Sequence, residues 1–167
     1  MAFIRSGTTI ISFAEYQDVY DTDPTLFDEN EGLTDDVIEN ALIRSTERIL
    51  SQLKNTVWYR TLALQNGASV LTIPALNASK IISRDNDFTD LCVYYSLYQY
   101  ILPKVADFGQ AGGADTNEKA KIGFYHEKFT TLLDELLFNS DWYDYDNGGT
   151  IGEKEYKPMP TNYVRIR

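Results

Sequence analysis

The chain has 167 residues, 25 of them acidic and 15 basic, for a net charge of −10. That length suits one domain with an extension, able to bury about 70% of its unfolded surface without staples. The acidic balance argues against tight binding to phosphate, because free nucleic-acid binders are basic, and the single cysteine, Cys92, excludes an intramolecular disulfide and fits a reducing compartment.

No run approaches the ~20 apolar residues of a membrane span, and residues 1–7 show no signal-peptide core. Aromatic residues make up 13% of the chain, twelve of them tyrosine, a side chain that suits wet protein interfaces as well as ordinary cores.

Residues 1–11 read as extended, with β-branched Thr8-Thr9-Ile10-Ile11 forming a strand or an arm. Ser12 with Glu15 matches a capping box and predicts a helix from Phe13 to about Tyr20. Asp23-Pro24 gives a cap with a first-position proline, Leu26 and Phe27 dock this turn on the body, and Asn30-Glu31-Gly32 breaks the chain. Thr34 caps a long helix, Asp35 to Lys54, acidic at its start and basic at its end as the helix dipole favours. Ile38, Leu42, Ser45, Ile49 and Leu53 mark its buried face, and Arg44, Glu47 and Arg48 read as a solvated face.

Val57 to Leu64 predicts a short helix closed near Gly67; Val70 to Ile73 is a short strand or a connector, and Ala75 to Ser83 one or two helical turns. Asp87 to Gly109 is the expected central helix, apolar nearly all round and therefore surrounded by other elements. Asp87 is its N-cap, Asp90 sits in the first turn, Pro103 forces a kink or an early end, and Gly109 stops it. After a Gly-rich break at 109–114, Asp115 with Glu118 opens the last long helix, to about Phe138. Its stripe is Ile122, Tyr125, Phe129, Leu132, Leu133, Leu136 and Leu137. Residues 139–167 read as an extended tail outside the core. The expected architecture is thus all-α: a compact helical bundle over 1–138 with an N-terminal arm, followed by an extended C-terminal arm.

The residues offer little to a catalyst, and no enzyme is expected. His126 lies on a helix with no motif around it, and Cys92, within an apolar helix, reads as a small buried hydrophobe of raised pKa. No phosphate-binding loop is present.

One stretch has ligand spacing. Asp144-Tyr145-Asp146-Asn147-Gly148-Gly149-Thr150-Ile151-Gly152-Glu153-Lys154-Glu155 matches an EF-hand loop, with Asp144, Asp146 and Glu155 at the first, third and twelfth places and Gly149 at the sixth. The fifth place, Gly148, lacks a ligand, and Pro158 and Pro160 argue against a long exiting helix. The site would take Ca²⁺ in a structural role that orients the tail; the alternative is an acidic, Gly-rich turn. No other cofactor is required.

The last residues alternate: Tyr163, Arg165 and Arg167 point one way in a strand, Val164 and Ile166 the other. An isolated strand is not stable, so this stretch is expected to be disordered in the free monomer and to add to another sheet edge on assembly.

Together these segments resemble the head-completion (head–tail connector adaptor) proteins of long-tailed bacteriophages. The resemblance rests on Phe13-Ala14-Glu15-Tyr16, on Thr34 to Leu50 with Arg44-Ser45-Thr46-Glu47-Arg48-Ile49-Leu50, on the Asp87–Gly109 segment with Leu102-Pro103-Lys104-Val105-Ala106-Asp107-Phe108-Gly109, and on Pro160 to Arg167. It implies a virion protein made in the host cytoplasm and placed at the neck. It implies a dodecameric ring beneath the portal protein, with a stopper or tail-terminator protein on the other face. The C-terminal arm, Tyr163, Val164, Arg165, Ile166 and Arg167, would dock to the portal or a neighbouring subunit. DNA would run through an acidic lumen without specific binding, and no membrane is involved. The alternative is a small acidic helical interaction module that responds to Ca²⁺.

Overall fold

The computed structural model describes residues 3–7, 9–28, 33–105 and 115–156. Among the described residues the fold is mostly helical with one small two-stranded sheet, and no helix is long and apolar enough to cross a membrane. Its elements are β1 (Ile4–Ser6), β2 (Thr9–Ser12), α1 (Tyr16–Thr22), α2 (Thr25–Asp28), α3 (Asp35–Lys54), α4 (Val57–Gln65), a 3₁₀ turn (Ala78–Lys80), α5 (Asp85–Ser96), a π turn (Leu97–Ile101), α6 (Leu102–Val105), α7 (Asp115–Asn139) and α8 (Glu153–Tyr156).

Helix α3 follows its expected bounds, and Ile38, Leu42, Ser45, Ile49 and Leu53 are all buried. It packs on α5, whose Phe88, Leu91 and Cys92 are fully buried, and α5 packs in turn on Tyr125, Phe129 and Leu136 of α7. The expected break at 30–32, the stop at Gly109, the 109–114 break and the Asp115/Glu118 cap lie outside the described residues and side chains.

The N-terminal segment is not a free arm. β1 and β2 pair antiparallel around Gly7, which sits at φ +62°, and Phe3 and Ile10 enter the core. Chain direction then changes at Phe13, which is buried outside any helix. Its N–H donates to Thr46 Oγ1 (3.1 Å) and its carbonyl accepts from Thr89 Oγ1 (2.8 Å), so α3 and α5 hold it from both sides. The capping box therefore sits three residues later than expected: the Glu15 N–H donates to Asp18 Oδ2 (2.9 Å), and α1 begins at Tyr16. Ser12 instead donates to the carbonyl of Ala14. Asp23, expected as a cap, is a buried carboxylate held by Lys121 (2.9 Å), Thr25 and Tyr125, which joins the α1–α2 turn to α7. Burial pushes its pKa up, but these donors and the lysine charge outweigh that and hold it below the ordinary value.

The central helix begins at Asp85, not Asp87. Arg84 adopts a left-handed conformation (φ +61°) and ends the preceding chain, while Asp87 lies in the first turn and pairs with Arg84 (3.1 Å). With the start at Asp85, Asp90 lies beyond the first turn, and desolvation and the nearby charges of Asp87 and Asp18 raise its pKa. Pro103 lacks an N–H and its ring crowds the turn before it. The helix answers by widening to a π turn over Leu97–Ile101 and then continues into α6. Val70–Ile73 is a tight turn, closed by the Ser69–Thr72 bridge, and not a strand.

The reading of 139–167 as a tail fails for its first part. Ser140, at φ +53°, reverses the chain after α7 and turns Trp142 and Tyr143 into the core. A row of rings results: Phe13 to Phe88 (5.3 Å), Phe88 to Trp142 (4.9 Å), Trp142 to Trp58 (4.9 Å) and Tyr143 to Tyr59 (5.8 Å). These contacts fuse the C-terminal segment to the helical body. Such rings are each among the largest apolar contributions a core can contain.

Candidate metal centre

Residues 141–156 are positioned by contacts from distant parts of the chain. Arg84 grips Asp141 with two bonds, Nε to Oδ1 (2.5 Å) and Nη2 to Oδ2 (3.0 Å). That guanidinium holds the Asp141 carboxyl below its usual range. The backbone of 142–144 then pairs with 80–82: the Ile82 N–H donates to the Trp142 carbonyl (3.1 Å) and the Asp144 N–H to the Lys80 carbonyl (2.9 Å). Lys80 Nζ donates to the Tyr145 carbonyl and lies 5.2 Å from the centre of that ring. At the far end of the loop, Trp58 Nε1 donates to the Glu155 carbonyl (3.2 Å). The loop is thus pinned to the body where it begins and where it closes.

Within it the chain folds back on its own carboxylates. Asp144, 3% exposed, accepts from the N–H groups of Gly148 (3.0 Å) and Gly149 (2.8 Å). Burial pushes its pKa up, but those N–H bonds outweigh this and hold the carboxyl below the ordinary value. Asp146 Oδ1 accepts from the Gly148 N–H (2.8 Å). Glu155, 5% exposed, reaches back across the loop: Oε1 accepts from the N–H groups of Tyr145 (2.6 Å) and Asp146 (3.1 Å), and Oε2 from that of Gly152 (2.7 Å). Two of the loop's turns need left-handed backbone, at Asn147 (φ +63°) and Gly149 (φ +80°). The second is the sixth place of the loop, where glycine is required for the sharp turn.

The spacing read from the sequence therefore becomes proximity. Asp144, Asp146 and Glu155 each offer an oxygen, and these oxygens lie within 4.8 Å of one another. Two oxygens bound to one Ca²⁺ at about 2.4 Å cannot be more than ~4.8 Å apart, and the three carboxylates meet that limit. They are the residues that would hold Ca²⁺, and the ion would supply charge neutralisation and a fixed loop shape. Gly148 at the fifth place has a local reason: a Cβ there would lie 2.9 Å from Asp146 Oδ1. The short α8 covers the loop's tenth to twelfth places and Tyr156, and Pro158 and Pro160, which argue against an exiting helix, lie outside the described residues.

The other expected site residues are distributed differently. Cys92 is buried against Thr46 Oγ1 and the Leu42 carbonyl (both 3.4 Å), and burial pushes its thiol up to about 12. His126 is exposed and lies edge-on to Tyr98, with ring centres 5.0 Å apart. The two side chains have separate partners. Tyr163, Val164, Arg165, Ile166 and Arg167 lie outside the described residues. The reading of the sequence missed the anchors Trp58, Lys80, Arg84, Asp141 and Trp142. The available signal was Trp142-Tyr143, two large rings directly after a helix. Compared with known proteins, the chain matches no family model, no curated protein and no solved structure.

Proposed function

We propose that this chain is a structural virion protein: a head-completion adaptor whose ring joins the capsid portal to a stopper or tail-terminator protein and lets DNA pass. One observation carries most of the support. The helical body buries Trp142, Tyr143, Asp144 and Glu155, leaves 146–150 exposed, and brings the chain to the surface at Tyr156, beyond which the sequence runs to the alternating Tyr163–Arg167 stretch. A firmly anchored exit suits a chain that passes its terminus to another subunit, because an arm transmits position only if its root is fixed. The buried thiol of Cys92 and the ring contact of His126 fit packing roles, in keeping with joining and not bond chemistry. A net charge of −10 suits a passage through which DNA moves without the counterion release that would hold it.

The acidic loop favours a second reading, a helical interaction module that responds to Ca²⁺. Asp144, Asp146 and Glu155 lie close enough to share an ion, and in the adaptor reading the same ion would stiffen the root of the arm.

The test is electron microscopy of the full chain and of a truncation ending at Tyr156, each with and without the portal of the same particle. The truncation point lies after the buried segment, so the body stays intact. The adaptor reading expects rings that dock on the portal with the full chain and fail to dock without residues 157–167. A monomer indifferent to truncation and to portal supports the Ca²⁺-responsive module instead.

A further inference from the structure

Two surface clefts meet at Asn55. The first, about 380 Å³, lies between α3 and the π turn, and Arg44, Arg48, Gln52, Gln99 and Tyr100 help to line it. The second, about 450 Å³, runs from Lys54 and Arg60 to the turn at Val70 and Leu71. Neither lining contains an aspartate or glutamate, in a chain where acids outnumber bases 25 to 15. Arg44 stands 4.6 Å over the Tyr100 ring, which the widened turn places beside it, and Arg44 and Arg48 make no ion pair among the described residues. Leu71 is 93% exposed at the tip of its turn. Val70 beside it is 58% exposed, so the cationic strip ends in a small apolar patch. Arginine and tyrosine are enriched at protein interfaces, where lysine and glutamate are depleted.

The complementary surface is on the same molecule. Asp35, Asp36 and Glu39 are exposed at the start of α3 and have no ion pair among the described residues. Thirteen residues separate Asp35 from Arg48, about 20 Å along a helix. The long helix is therefore acidic at its start, while toward its end Arg44, Arg48 and Lys54 outnumber Glu47. Unlike patches on one chain pair head to tail, and head-to-tail contacts produce closed rings when the rotation closes.

We propose that the strip from Arg44 through Arg60 to Leu71 seats the acidic start of α3 from a second copy of this chain. The proposal rests on the adaptor reading for its biological sense and names the surface through which copies would meet. Charge complementarity sets register and encounter rate, and Leu71 supplies the apolar contact that charge alone lacks. Duplex DNA is the less suitable occupant: few cations are available against a strongly acidic whole, and the amide and apolar lining suits protein.

The test is a charge swap in the full chain. One variant carries R44E, R48E and R60E; the other carries D35K, D36K and E39K; far-UV circular dichroism confirms that both fold. Sedimentation velocity then follows self-association at about 50 mM and about 500 mM salt, conditions that separate weak from strong screening. The wild type should associate at low salt and at least about tenfold more weakly at high salt. Each variant alone should lose association at least about tenfold, and an equal mixture of the two should regain it, since each then meets an opposite charge. Variants that associate like the wild type, a mixture without recovery, or a wild type that is monomeric throughout overturns the proposal. So does a wild type whose strip binds duplex DNA without self-association. Failure here with portal docking retained leaves the adaptor reading in place; loss of portal docking by the full chain removes that reading whatever the swaps do.

Discussion

Trp142→Ala tests whether residues 140–156 belong to the body. The indole is fully buried, meets Phe88 and Trp58 at 4.9 Å each, and donates its N–H to the Leu136 carbonyl at 2.9 Å. Truncating a buried tryptophan to alanine costs about 3–5 kcal/mol, and the Leu136 carbonyl keeps the Ser140 N–H as a donor (2.9 Å). A loss of about 3–5 kcal/mol is therefore expected. At roughly 2–4 °C per kcal/mol for a domain of this size, Tm falls by about 6–20 °C. Trp142→Phe keeps most of the ring and loses the N–H, so its cost should be about 1–2 kcal/mol. Urea unfolding followed by far-UV circular dichroism measures both. A cost below about 1 kcal/mol for the alanine variant would show that the segment leaves the body in solution, and the anchored exit at Tyr156 would have no basis.

Ca²⁺ at about 100 times its Kd should stabilise the fold by about 2.7 kcal/mol, a rise in Tm of roughly 5–11 °C. Asp144→Asn and Glu155→Gln should each remove that rise; an unshifted wild type would exclude a calcium site. Asp90→Asn should raise Tm at pH 7, because Asp90 is held charged against burial and against Asp87 and Asp18. That gain should shrink toward pH 4 and below, where the raised carboxyl of the folded chain protonates and loses its penalty; a gain that grows on acidification contradicts the assignment. Cys92, with its thiol pushed up to about 12, should resist thiol reagents in the folded chain and react fully in denaturant; rapid labelling of the native protein would place it at the surface.

What could be read from the sequence was the part specified locally. The long apolar stripes of α3 and α7 declare themselves through period, and the acidic start and basic end of α3 agree with the helix dipole. The carboxylate loop was legible for the same reason, since ligand spacing and the glycine turn lie within twelve residues. What escaped was set by distant partners. Trp142 and Tyr143 sit in Asp- and Gly-rich surroundings, and only their packing on Trp58, Tyr59 and Phe88, far away in sequence, makes them core. The start of α5 moved because Arg84 turns left-handed while its guanidinium holds Asp141, 57 residues away. Phe13 left its expected helix because Thr46 and Thr89 compete for its backbone. Sequence neighbours can express a helix's preference but not these long-range claims on it.

The central claim is that the body anchors a terminus destined for another polypeptide. A photo-activated cross-linker placed at Tyr163 in the assembled particle tests it most directly. Cross-links from that position to the portal or to a neighbouring copy are expected. Cross-links confined to the same chain's own body would contradict the account.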